Sequence, residues 1–173
     1  MTTGLTTAAV RAMQALGSDQ SGRADQIADR LAEAIRLGLL VPGERLPAEA
    51  VLADQLGVDV IALGEHHRPE YSISTPETLL AGIATRTSRI KLASGVTVLS
   101  SDDPVRVFQR FATVDALSNG RAEVILGRGS FTESFPLFGY DLNDYDDLFE
   151  EKLQELLAIR QGGKVNWPGS PHT

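Results

Sequence analysis

Val58-Asp59-Val60-Ile61-Ala62-Leu63-Gly64-Glu65-His66-His67-Arg68-Pro69-Glu70 is an apolar run that ends abruptly in a glycine and a cluster of ionisable side chains. The stretch from Val58 to Leu63 is short and rich in β-branched residues, which predicts a buried strand. The polar cluster behind it would then occupy the strand's C-terminal end. Further along, the same alternation repeats. Thr75-Pro76 opens a helix to about Thr87, and Ile90 to Leu99 reads as a strand. Asp103-Pro104 opens a helix to about Leu117, Ala122 to Leu126 is a strand, and Tyr145 to Arg160 is a helix. Strands separated by helices of this length imply parallel pairing through right-handed crossovers. Val60, Ile61, Val96, Val98, Val124 and Ile125 suit strands covered on both faces, so the fold class is α/β.

Upstream the pattern changes near Gly57 and Val58. Ala24 to Leu37 carries Ile27, Leu31, Ala34 and Ile35 at helical spacing, with Gly38 placed as a C-terminal cap. Val41-Pro42-Gly43-Glu44 is turn chemistry, and Pro47 suits the first position of a second helix. That helix carries Val51, Leu52 and Leu56 on one face and ends at Gly57. Thr7 to Leu16 predicts another helix, and Gly17 to Gly22 a polar linker. The chain therefore divides into a helical segment over residues 1–57 and an α/β domain over residues 58–173.

Composition narrows the functions. With 173 residues, 42% of them hydrophobic, the chain can bury one real core. Its 16 Lys plus Arg against 23 Asp plus Glu give a net charge of -7, which repels phosphate backbones and anionic membranes, so nucleic acid is a disfavoured partner. Without cysteine there is no disulfide or thiolate metal site. Met1 to Val10 lacks the features of a signal peptide, and no apolar run approaches the ~20 residues that span a bilayer. A cytoplasmic protein without membrane association is expected.

In parallel α/β architecture chemistry collects at the C-terminal ends of strands. Gly64-Glu65-His66-His67 follows the first strand, Ser100-Ser101-Asp102-Asp103 the second, and Gly127-Arg128-Gly129-Ser130 the third. A histidine beside a glutamate can exchange protons near neutral pH while the carboxylate orients it. In the alternative reading one histidine is held at the strand end by a backbone hydrogen bond and the other faces solvent. A metal site is disfavoured, because adjacent residues on an extended segment point apart and no third ligand is evident. Gly127, Arg128, Gly129 and Ser130 combine a guanidinium, small residues and a hydroxyl, which suits a phosphate group; the alternative is an ordinary glycine-containing turn.

In this order these residues resemble the luciferase-like flavin-dependent monooxygenase family. The resemblance is carried by Gly64-Glu65-His66-His67-Arg68-Pro69-Glu70 and by Ser94-Gly95-Val96-Thr97-Val98-Leu99 with Asp103-Pro104-Val105-Arg106. It continues in Asp115-Ala116-Leu117-Ser118-Asn119-Gly120-Arg121 and in Gly127-Arg128-Gly129 leading to Phe138-Gly139. It implies a partial TIM-type (β/α) barrel with three βα units, preceded by N-terminal α-helices. It also implies reduced flavin mononucleotide (FMN) as cofactor, with oxygen and a small organic molecule as substrates. By the same resemblance His66 is the active-site acid/base, oriented by Glu65. Gly95-Val96 falls where the family has a bend or cis peptide under the flavin ring, and Arg128 falls on a flavin-phosphate contact, with Gly127 and Ser130 beside it.

A second resemblance covers about Gly22 to Val58 and points to the opening of a GntR-type winged-helix regulator. It rests on Gln26-Ile27-Ala28, on Ile35 to Glu49, and on Leu52-Ala53 with Leu56-Gly57-Val58. The implied chain is a chimera, its first barrel strand replaced by regulator-like helices. No recognition helix or wing follows Val58, and residues 1–58 hold five Arg against seven Asp plus Glu. Besides an enzyme-derived domain, the readings are a DNA-binding regulator and a non-catalytic α/β fragment that forms a homo-oligomer through its open sheet, whose unpaired edges and apolar face need covering.

Overall fold

The computed structural model describes residues 48–167 together with Ala32 and Arg36, both of which are helical. Apart from those two positions, the helices expected over residues 7–16 and 24–37, the linker over 17–22 and the turn over 41–44 lie outside the described residues. The elements are α1 (Glu49–Leu56), β1 (Val60–Leu63), α2 (Pro76–Ala84), β2 (Lys91–Val98), α3 (Pro104–Ser118), β3 (Ala122–Gly127), α4 (Ser134–Phe138) and α5 (Tyr145–Gln161). Single 3₁₀ turns lie at Leu99–Ser101 and Leu142–Asp144.

The strand and helix alternation matches expectation, and the boundaries differ for local reasons. Helix α2 stops at Ala84 rather than near Thr87, because the next amides are committed elsewhere: Ser88, Arg89 and Ile90 all donate to Asp54. Strand β2 gives way to a 3₁₀ turn at Leu99. Helix α4 was not expected, because Pro136 and Gly139 give its sequence the character of a turn. Its anchor is Phe135, fully buried and stacked on Tyr145 at 5.5 Å.

The chain packs as two compact units, Met1–Ile61 with Arg86–Ile90, and Ala62–Thr85 with Lys91–Thr173. In the first, α1 ends on Gly57, whose φ of 87° is the left-handed conformation that glycine adopts without a Cβ penalty. The Asp54 carboxylate on α1 accepts the amides of Ser88 at 3.1 Å, Arg89 at 2.9 Å and Ile90 at 2.6 Å. Arg89 in turn donates to the Val58 carbonyl at 2.6 Å.

The sheet has the order β1-β2-β3, with β2 and β3, both in the second unit, parallel. Helix α3 packs against α2, β3 and α5, and Leu80, Leu92, Leu99, Val107, Phe111, Val114, Leu148 and Leu156 form the buried core. Asp103 caps α3 by accepting the Arg106 amide, and Pro104 occupies its first turn, both as the sequence implies. Lys152 of α5 is 1% exposed; its ammonium donates to the Ser100 carbonyl at 2.9 Å and lies 3.8 Å from the Tyr140 ring centre.

The β2–β3 ladder is irregular at one point. Gly95 pairs with Ile125 and Thr97 with Leu126, leaving Val96 as an extra residue. The buried Ser94 hydroxyl repairs the ladder there, donating to the Ile125 carbonyl at 3.1 Å and receiving the Ile125 amide at 3.2 Å. Ser94→Ala would strip both backbone groups of a partner. It is expected to lower unfolding stability by about 1–3 kcal/mol with an unchanged denaturant slope, and a urea titration checks this.

Strand β3 is the far edge of the sheet, and Val124 and Ile125 are 39% and 51% exposed. Beside it Phe108, Phe111, Val124, Ile125 and Leu157 line an apolar groove of about 670 Å³. Among the described residues no helix is long and apolar enough to cross a membrane.

Candidate functional site

A cleft of about 230 Å³ lies where β1, β2 and β3 of the second unit end. The loop after β1 contributes Gly64, Glu65, His66 and His67; β2 contributes Gly95, Val96 and Val98; the segment after β3 contributes Gly129, Ser130, Phe131, Glu133 and Ser134. Parallel pairing brings these segments together, since parallel strands present all their C-terminal ends on one side.

The two histidines part company. His66 stacks on Tyr71 with ring centres 4.0 Å apart and meets the edge of Phe131 at 5.0 Å, while its amide donates to the Ile73 carbonyl. His66 Nδ1 is buried and has no hydrogen-bond partner among the described residues. His67 Nε2 instead lies 2.9 Å from Glu65 Oε1, and the other Glu65 oxygen accepts the Val98 amide at 3.0 Å. The expectation that Glu65 orients His66 is therefore corrected: its carboxylate serves His67 and β2. The cause is the period of two of an extended segment, which puts residues 65 and 67 on one side and residue 66 on the other. That signal was present in the Glu-His-His spacing.

Beside the cleft, Arg68 Nε lies 3.2 Å from Glu133 Oε2, and the guanidinium sits 4.4 Å from the Phe131 ring centre. Burial alone would raise the Glu133 carboxyl. The amides of Glu133 and His67 and the Arg68 guanidinium outweigh it and hold the group below its ordinary value of 4.5. Glu133 and Ser134 had no signal in the sequence, because their partners and neighbours come from the distant β1 loop.

The Gly95–Val96 peptide is cis. Small residues let the strand ends approach there: a β-carbon on Gly127 would lie 2.6 Å from Val96 Cγ2, and one on Gly129 2.8 Å from Val98 Cγ1. Gly127 pairs beside Val98 in the sheet and is not on the cleft wall, whereas Gly129 and Ser130 reach the wall. Arg128 is not among the cleft residues. Its Nε lies 3.1 Å from Asp146 Oδ1, its guanidinium stands 4.4 Å from the Phe149 ring centre, and its side chain is 45% exposed. Among the described residues no group of three or more His, Asp or Glu side chains is arranged to hold a metal ion.

Residues 41–173 match the family model for luciferase-like monooxygenases. The match includes α1 and the stretch from Val41 to Val58, which the regulator-like reading had set apart from the barrel. The 4-hydroxyprotoasukamycin monooxygenase of Streptomyces nodosus subsp. asukaensis is 36% identical over 125 residues, 70% of this chain and 34% of that protein. The crystal structure of the monooxygenase RslO1 from Streptomyces bottropensis superposes with a TM-score of 0.67 at 27% identity, over 87% of this chain and 43% of that one. The oxygenating constituent of 3,6-diketocamphane monooxygenase from Pseudomonas putida, solved in complex with FMN, shares the fold at 19% identity, with a TM-score of 0.66 over 92% of this chain and 40% of that one. The chain thus spans under half the length of the relatives it matches.

Proposed function

Because the chain belongs to the luciferase-like monooxygenase family, we propose that the cleft at the ends of β1, β2 and β3 is one wall of a flavin site, in which reduced FMN and oxygen serve to oxidise a small organic molecule. The observation that carries this reading is the convergence of His66, Gly95, Val96 and the Gly129-Ser130 turn on one cleft. The fit to a flavin is partial. The cleft is smaller than the roughly 300–1,000 Å³ usual for ligand pockets, as one wall of a larger site would be. It does hold a buried, unpartnered His66 Nδ1, which favours a ligand group at that point.

When bound, the flavin supplies the electron transfer and oxygen activation. In this reading the chain's residues bind and position. His66, gripped between Tyr71 and Phe131, holds or releases a proton at Nδ1 toward the ligand. Glu65 fixes His67 and ties the β1 loop to β2, keeping the cleft in shape. Arg128 takes the flavin phosphate by leaving Asp146, an exposed pair of the kind worth only about 0–1 kcal/mol.

Titrating the purified chain with oxidised and reduced FMN, followed by flavin fluorescence, tests the reading. Saturable binding is expected, and Arg128→Ala is expected to weaken it about tenfold. Absence of binding in the unaltered chain would refute the flavin site. Self-association along the β3 edge, which pairs with no further strand among the described residues, belongs to the same proposal and is favoured by the exposed Val124 and Ile125. Sedimentation should show mass rising with concentration, and a strictly monomeric chain would rule it out.

A further inference from the structure

We infer that Ser134 hydrogen-bonds a neutral oxygen of the bound flavin, on its ribityl chain, an inference that rests on the flavin reading above. Ser134 is 1% exposed and lies on the cleft wall, yet its Oγ has no partner among the described residues. Buried hydroxyls are nearly always satisfied, so an orphan facing a cleft marks a place where a ligand atom belongs. Thr97 and Ser100 also carry buried, unpartnered hydroxyls, but neither lines the cleft. Ser134 does so from the segment after β3, and His66, with its orphan Nδ1, lines the same cleft from the β1 loop.

Charge selects the ligand group. The carboxylates on the cleft wall, Glu65 and Glu133, are engaged by His67 and Arg68, and among the described residues no lysine or arginine lines the wall. A phosphate dianion brought to Ser134 would meet carboxylates and no free cation. A polyol hydroxyl meets a donor and acceptor of its own kind at little desolvation cost. The phosphate is left to Arg128, outside the cleft.

Three probes separate the groups: lumiflavin has the ring alone, riboflavin adds the ribityl chain, and FMN adds the phosphate. Each is titrated by fluorescence into the unaltered chain, Ser134→Ala and Arg128→Ala. Ser134→Ala should weaken riboflavin and FMN equally, by about five- to tenfold, and leave lumiflavin unchanged. Arg128→Ala should weaken FMN only. Without ligand, the unfolding midpoint of Ser134→Ala should stay level or rise, since a buried hydroxyl with no partner is lost. Ser134→Cys, close in size with a weaker donor, should fall between and guards against a folding defect in the alanine variant. Unchanged affinities in Ser134→Ala, a loss confined to FMN, or an equal loss for lumiflavin would overturn the assignment. If the unaltered chain binds none of the three, the flavin reading itself fails and the assignment falls with it.

Discussion

Arg121→Ala is expected to cost about 3 kcal/mol or more of unfolding stability, the largest loss for a side chain away from the cleft. Arg121 is 8% exposed. Its Nε donates to the Ser118 carbonyl at 2.7 Å and its Nη2 to the Ala84 carbonyl at 3.0 Å. These are the final residues of α3 and α2, whose last carbonyls have no partner within their own helices and carry the negative ends of the helix dipoles. One guanidinium therefore closes two helices at once, while the Arg121 backbone carbonyl accepts the Leu92 amide at the start of β2. Alanine would leave buried carbonyls unsatisfied. Lysine keeps the charge but lacks the fork that reaches both, so Arg121→Lys should lose about half as much. Urea unfolding of both variants checks this, and a loss below about 1 kcal/mol for alanine would show that the helix ends are satisfied without the guanidinium.

Asp54→Ala should destabilise the first unit by about 2 kcal/mol, since three backbone amides lose a charged acceptor on a partly exposed carboxylate. The effect carries a pH signature. Burial by itself would raise the Asp54 carboxyl, but the amides of Ile90, Ser88 and Arg89, with the Arg89 charge, hold it below its ordinary value of 3.8. Because the folded value is the lower one, the contribution is fully present above 3.8 and is lost as the pH falls through the folded value. The stability advantage of the unaltered chain over Asp54→Ala should therefore be constant at neutral pH and shrink as the pH is lowered below 3.8. Parallel curves would show that the carboxylate charge contributes nothing. Asp54→Asn, which keeps one acceptor oxygen but no charge, should lie between them.

Both residues had a visible sequence context, yet neither role could be read there. Arg121 closes a motif that the family resemblance picked out, but its link to Ala84 spans a separation of 37 residues. Asp54 reads as an ordinary polar position of a short helix, and its partners lie 34 to 36 residues away. The candidate site divides in the same way. That the loop of His66 and the Gly129-Ser130 turn would meet followed from strand order, because parallel strands bring their ends to one side; Gly95 and Val96, inside β2, came from the family resemblance, and Ser100 to Asp103, the expected second strand end, do not line the cleft. That Glu65 would pair with His67, that Arg128 would lie on Asp146 and Phe149, and that Ser134 would have no partner among the described residues did not follow.

By itself the sequence determined what neighbours in the chain determine: the alternation of strand and helix, the Asp103-Pro104 start of α3, the Gly57 end of α1 and the set of strand ends where chemistry gathers. Periodicity and caps act within about four residues, so composition and spacing record them. Only the tertiary structure decided which side chain meets which: Arg121 across two helix ends, Ser94 at the irregular step of β2, Lys152 on the Ser100 carbonyl, and Arg68 on Glu133 beside the cleft. Each of these pairings except Arg121 with Ser118 joins residues more than thirty positions apart. Their geometry is set by how strands and helices pack, and a single sequence carries no separate sign of it.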